Sequence, residues 1–288
     1  MKTHKLFMFG AGIALLSATL SLTVGKVHGQ NDTVNVPANT DFVAPKVFQA
    51  AGPTVPSIQQ TVEQYRNELG AGNNGATPGS QPTGHREINW DAVPAQFSAP
   101  NNLPANFFNL NSPRGAVFST PGTGFQVSAN AINPTNTPVR FGNLNPNYPS
   151  IFQVFSAEKL FTALGSNVTD IDFFVAGSNT PALVSGFGSV FTDVDQPDGS
   201  GPGEKRGNRK SSTLIEYFDA AGELLFSSFV PASPGNGALS FFGIVFPDAR
   251  IAHVRITSGD VAPGPDDDDK QDVVVMDDFL YGEPKAPN

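Results

Sequence analysis

Gln271-Asp272-Val273-Val274-Val275-Met276-Asp277-Asp278-Phe279-Leu280-Tyr281-Gly282-Glu283 is the stretch whose reading decides the fold. Its β-branched and aromatic content marks a strand. With alternating side chains, Val273, Val275, Asp277, Phe279 and Tyr281 share one face and Asp272, Val274, Met276, Asp278 and Leu280 the other. Both faces are largely apolar, so the strand is expected to be buried on both sides. A buried carboxylate must be paired, hydrogen-bonded, metal-bound or protonated. Asp277 and Asp278 are therefore expected to be held by something, a structural cation being the simplest agent. As neighbours in a strand they should point opposite ways.

Working back from this strand, short apolar runs alternate with turns rich in Gly, Pro, Asn and Ser. Candidate strands cover 151–155, 159–163, 168–175, 182–191, 213–218, 223–230, 239–246 and 250–257. A hairpin is expected from 115–120 and 124–129 around Pro121-Gly122, and a clearer one at Asp219-Ala220-Ala221-Gly222. About ten strands at short intervals predict an all-β fold, a β-sandwich of jelly-roll type, with an Ig-like sandwich as runner-up. One helix is expected over 57–69. Ser57 and Gln60 form a capping-box pattern, Ile58, Val62, Tyr65 and Leu69 fall on one face, and Gly70 stops it.

The chain opens with Lys2 and Lys5, then an apolar run from Leu6 to about Leu22, the pattern of a secretory signal peptide cleaved after Gly29. An uncleaved anchor is the alternative reading. Residues 30–84 form an extended lead-in carrying the helix, then a Gly/Asn/Pro/Ser/Thr-rich flexible linker over 71–84. The sandwich domain spans 85–284 and a tail 285–288. Cleavage removes three Lys and no acid from a chain of formal charge −9, leaving about −12. So acidic a chain excludes nucleic acid and, after signal cleavage, an anionic membrane as partners. There is no Cys, so an exported fold of this kind must rely on a large core or a bound metal. The predicted location is extracellular or periplasmic, in a bacterial host. The triplets at Asn31 and Asn167 are weak glycosylation patterns.

Of three acidic groups, two could hold calcium, which takes six to eight oxygens from flexible, Asp-rich surroundings. Asp193, Asp195 and Asp198 lie within one loop, with spacing one residue too long for an EF-hand start. Asp260 and the run Asp266–Asp269 before Lys270 read as a solvated loop, although Asp-Asp-Asp-Asp-Lys is also a protease-cleavage sequence. Asp91 joins Asp277 and Asp278 if the first and last strands are neighbours. The alternative is that these Asp accept backbone N–H groups.

Catalytic patterns are missing: no Cys nucleophile, G-x-S-x-G elbow, H-E-x-x-H or glycine-rich phosphate loop, and only His85 and His253 after the leader. A glycan hydrolase with two carboxylates from Glu216, Asp219 and Asp277 is the alternative function. A non-enzymatic binding or matrix module is the leading one, with extracellular polysaccharide as ligand by fold analogy. Trp90 and Tyr148, with Tyr217 and Tyr281, are its stacking candidates; His253 and Arg255 would make a polar patch. A purely structural exoprotein is the third reading.

Five segments together resemble uncharacterised exported bacterial β-sandwich proteins: Arg86-Glu87-Ile88-Asn89-Trp90-Asp91, Gly186-Phe187-Gly188-Ser189-Val190-Phe191-Thr192-Asp193-Val194-Asp195, Ile215-Glu216-Tyr217-Phe218-Asp219, Val254-Arg255-Ile256-Thr257-Ser258-Gly259 and Val274-Val275-Met276-Asp277-Asp278-Phe279. The likeness covers most of the chain after the leader and implies a jelly roll, with no activity to carry over. Similar jelly rolls end in a Pro-Glu-Pro sorting tail. This chain ends Gly282-Glu283-Pro284-Lys285-Ala286-Pro287-Asn288, without the hydrophobic helix and basic cluster of that signal.

Overall fold

The computed structural model describes residues 43–195, 212–264 and 271–287. The leader, Asn31, Asp198 and Asp266–Lys270 lie outside them. Residues 43–288 fall in one compact unit. Among the described residues no helix is long and apolar enough to cross a membrane.

The predicted all-β sandwich is present, as two antiparallel sheets. The strands in chain order are β1 (Lys46–Gly52), β2 (His85–Ile88), β3 (Ala116–Ser119), β4 (Gly124–Val127), β5 (Phe161–Leu164), β6 (Val168–Phe173), β7 (Gly186–Thr192), β8 (Leu214–Phe218), β9 (Leu224–Phe229), β10 (Leu239–Val245), β11 (His253–Thr257) and β12 (Val275–Gly282). One sheet runs β1-β10-β7-β12-β5-β4, with β2 also pairing β12; the other runs β3-β6-β11-β8-β9. From β3 onward the chain crosses repeatedly between sheets, as in a jelly roll. The helices are α1 (Val55–Leu69), α2 (Phe107–Leu110) and α3 (Tyr148–Ile151); the strand expected over 151–155 does not form.

The core between the sheets is aromatic. Trp90 stacks on Phe161 with centroids 4.1 Å apart, and Phe118, Phe125, Phe279, Phe187 and Tyr281 continue the cluster. The expected hairpin of β3 and β4 does not form: β3 pairs β6 and β4 pairs β5, in opposite sheets. Gly122 makes the corner between them, where a Cβ would lie 2.1 Å from the Leu164 carbonyl oxygen. The β8–β9 hairpin forms as expected. The Asp219 carboxylate accepts the N–H groups of Ala221 and Glu223, and Gly222 takes φ +82°.

The helix begins two residues earlier than its sequence pattern suggested. Thr54 is the N-cap residue and Pro56 occupies the first turn, where no N–H is needed. Ile58, Val62, Tyr65 and Leu69 are buried against Val190, Leu239, Phe241, Val245 and Leu280 on the outer face of the first sheet. Tyr65 fits between strands only because Gly188 and Gly243 lack side chains. A Cβ on either would stand 2.8–2.9 Å from its ring. The Tyr65 hydroxyl donates to the Ile244 carbonyl.

Residues 43–84 are part of the sandwich rather than a lead-in to it. β1 pairs β10 along its whole length. The segment 71–84, expected to be a flexible linker, is fastened by Arg86. The Arg86 guanidinium donates to both Glu283 oxygens at 2.6 Å and to the carbonyls of Gly75, Thr77, Gly79 and Pro113. Glu283 also accepts Asn74 Nδ2 and the Gln81 N–H. Gly, Asn and Ser there supply turn geometry around a buried ion pair, not looseness. The tail is tied too, Leu183 and Lys285 exchanging backbone hydrogen bonds. Asn167 Nδ2 donates to the Gly259 carbonyl and Thr169 is buried, so that triplet is occupied internally.

Candidate functional site

The terminal strand contains a bulge that alternation did not foresee. Val275 pairs with Thr192 and Met276 with Phe191, but the next pair is Phe279 with Ser189. Asp277 and Asp278 thus stand together opposite Val190. Before the bulge Val274 and Met276 face the inter-sheet core; after it Phe279 and Tyr281 do. Both carboxyls consequently lie on the outer face, correcting the expectation of opposite directions.

Asp277 is fully buried. Its Oδ2 accepts the Phe155 N–H at 2.6 Å, its Oδ1 the Ser156 hydroxyl at 3.1 Å, and its carbonyl the Trp90 Nε1–H at 2.8 Å. Burial, and then the adjacent Asp278 charge, push its pKa well above the usual carboxylate range. Asp278 is 2 % exposed. Arg66 Nη2 of α1 lies 3.5 Å from its Oδ2, while its Oδ1 is buried with no hydrogen-bond partner. Burial raises this carboxyl too, against the pull of Ser156, Asp277 and Arg66. Asp91 accepts the Lys159 N–H at 3.1 Å. Burial lifts its pKa to about 6, and the Asp278 charge adds to the shift. β2 lies beside β12, as the sequence reading required, so Asp91, Asp277 and Asp278 share one neighbourhood. Arg66 also binds Glu87, which faces His85 at 2.7 Å. This ion-pair chain joins helix and sheet through residues that lack any sequence motif.

Asp193 and Asp195 form a separate group. Asp193 takes φ +72° and donates its N–H to the Ala238 carbonyl. Asp195 Oδ1 accepts the Gly235 N–H, and its own N–H donates to Asp272. Asp272, which sequence reasoning passed over, also accepts the Ser212 hydroxyl. Burial raises its pKa to about 7. Among the described residues no three His, Asp or Glu side chains converge as a ready-made ligand shell for a metal.

Two of the ligand-binding expectations are corrected. Trp90 is 1 % exposed and Tyr148 is fully buried, its hydroxyl bonded to Gly264 and its ring packed on Phe152. Tyr65, Tyr217 and Tyr281 are buried as well. Trp90, Tyr217 and Tyr281 pack between the sheets, Tyr65 lies under α1, and Tyr148 sits in a separate cluster with Phe141, Phe152 and Leu160. Neither Trp90 nor Tyr148 offers a sugar a face.

His253 and Arg255 do lie on an open surface, the outer face of the second sheet. Cross-strand register sets one row Ser119–Asp170–Arg255–Glu216–Ser227 and a second Val117–Asp172–His253–Phe218–Leu224. Arg255 donates to both Asp170 oxygens. The His253 ring nitrogens lie 2.8 Å from Asp172 and 3.0 Å from Asp170. Two carboxylate partners call for a proton on each nitrogen, so the imidazolium fits best. The Asp172 hydrogen bond leads the causes that raise its pKa. The Arg255 side chain remains 47 % exposed.

The hydrolase candidates are engaged elsewhere. Asp219 closes its turn and Asp277 is enclosed, while Glu216 stands in register beside Arg255 on the outer face of the second sheet. Comparison with family models, characterised proteins and solved structures finds no match.

Proposed function

We propose that the protein is an exported, non-enzymatic β-sandwich that works outside the cytoplasm as a binding or matrix module, with polysaccharide as its ligand. The observation that carries this reading is the asymmetry of the two outer faces. The first sheet is covered by α1, whereas the second presents Asp172, Glu216, His253 and Arg255 in cross-strand rows, Asp170 itself being buried. Such rows offer charged donors and acceptors side by side, which suits the hydroxyls of a sugar chain. Phe218, half-buried and 5.5 Å from the His253 ring, supplies the apolar contact expected of Trp90 and Tyr148. The engagement of Asp219 in its turn and the enclosure of Asp277 support binding over hydrolysis.

The test is affinity electrophoresis of the full chain through a panel of neutral and acidic polysaccharides, with Arg255→Ala and His253→Ala as variants. Retardation by one polysaccharide, weakened at least about tenfold by either variant, is expected; a desolvated charged hydrogen bond of about 1.5 kcal/mol corresponds to that factor. Migration unaffected by any polysaccharide, or equal retardation of both variants, would refute this face as the ligand surface.

A further inference from the structure

A buried histidine at the C-terminal end of α1 has no part in the sheet face described above. We propose that His85 is a pH-sensitive clasp, holding the end of α1 to β2 while its ring is protonated. His85 is 5 % exposed, and both ring nitrogens face oxygen. Nδ1 lies 2.7 Å from the carbonyl of Gly70, the C-cap of α1, and Nε2 lies 2.7 Å from Glu87 Oε1. A neutral imidazole carries one N–H and would turn the other nitrogen's lone pair against an oxygen. Only the imidazolium donates to both, and its charge suits the negative end of the helix dipole. Glu87 Oε1 also accepts Arg66 Nε at 2.9 Å. Burial opposes the Glu87 charge, but His85 and Arg66 outweigh it and hold this carboxyl below its usual range.

The charges around the ring are few. Glu87 of β2 supports the proton and Arg66 of α1 opposes it, while Glu63 and Asp278 engage the other two nitrogens of Arg66. Alternation turns Arg86 to the opposite face of β2, where Glu283 pairs with it. Asp248 and Lys285 line, with Leu69 and Gly70, an open cleft of about 450 Å³. Burial works against the charged ring, but the hydrogen bonds to Glu87 and Gly70 outweigh it and raise the His85 pKa above its ordinary 6.5. A group so raised contributes its full stability below about pH 6.5, and the contribution is lost as pH rises through the higher folded value. Loss of the proton turns one of the two contacts into a repulsion, and the last turn of α1 has the cleft beside it to move into. Acid therefore shuts the helix end down on the sheet and alkali releases it, while Ile58 and Val62 keep the rest of α1 seated.

Two measurements on the full chain test the clasp: an NMR titration of the histidine rings, and amide hydrogen exchange at pH 5.5 and pH 8.5 corrected for each amide's intrinsic rate. The His85 ring should titrate above its ordinary 6.5. Protection of the 66–70 amides should fall on the order of tenfold from the lower pH to the higher, the scale of one charged hydrogen bond. The 60–63 amides should keep theirs. His85→Gln, whose amide does not titrate, should show one level of protection over 66–70 at both pH values. Asp272→Asn, remote from α1, should retain the parent's difference. Equal protection at both pH values in the parent, or a ring that titrates at or below its ordinary value, would overturn the proposal. A difference that persists in His85→Gln would overturn it as well, and would assign the titration to Asp277 and Asp278.

Discussion

Arg86→Met tests the claim that a buried ion pair, rather than chain composition, orders residues 71–84. The substitution keeps the apolar stem and removes a guanidinium that is fully enclosed. Its partner Glu283 has a side chain only 2 % exposed. Removing one member of such a pair strands the other charge in the interior, at a cost of about 3–5 kcal/mol. The carbonyls of Gly75, Thr77, Gly79 and Pro113 lose a charged donor as well. Because that segment lies at the surface, water can replace part of this loss, and we take about 4 kcal/mol as the expected total. Against a domain stability of about 5–15 kcal/mol that is a large fraction. It corresponds to a fall in Tm of about 8–16 °C for a domain this size. Urea unfolding gives the free energy. Hydrogen exchange then locates it, with the Asn74, Gly79 and Gln81 amides losing protection ahead of the strands. The double variant Arg86→Met with Glu283→Leu should recover part of the loss, since it leaves no unpaired charge. A single-variant cost under about 1 kcal/mol, or a double variant no better than the single, would refute the reasoning.

Two further outcomes are expected. Gly243→Ala places a methyl 2.8 Å from the Tyr65 ring and 3.0 Å from the Gly188 Cα, where neither neighbour can yield freely. It should cost about 1–3 kcal/mol and raise exchange selectively in α1, and unchanged α1 protection would count against the close seating of Tyr65. Asp272, whose pKa burial raises to about 7 from 3.8, makes a contribution that is complete below about pH 4 and lost as pH rises through 7. The parent should therefore melt higher at pH 5.5 than at pH 8.5. Asp272→Asn should flatten that slope, by an amount on the order of 2–4 kcal/mol at most. An equal slope in the variant would show that Asp272 does not carry it.

Local pattern was enough for much of the fold. The apolar spacing of Ile58, Val62, Tyr65 and Leu69 identified the buried face of α1, and Pro56 explains its earlier start. Asp219 through Gly222 specified a turn by backbone chemistry alone, and the β8–β9 hairpin follows. Pairing over longer range escaped this logic. Pro121-Gly122 has the residues of a hairpin turn, but packing against Leu164 makes it a corner between sheets. The nearness of Asp91 to the terminal acids was legible because it needed only that the strand leading into Asp91, β2, lie beside the last one.

By itself, then, the sequence determined an all-β chain of apolar strands with one amphipathic helix, and a terminal strand whose acids needed partners. These are nearest-neighbour properties, decided by periodicity and by the cost of burying charge. Tertiary structure alone decided that Asp277 and Asp278 share a face, that Trp90 and Tyr148 lie inside and that Arg86 fastens residues 71–84. Each depends on what stands opposite in space. One extra residue against Val190 inverts every side chain beyond it, and the strand's own sequence carries no record of its partner's register.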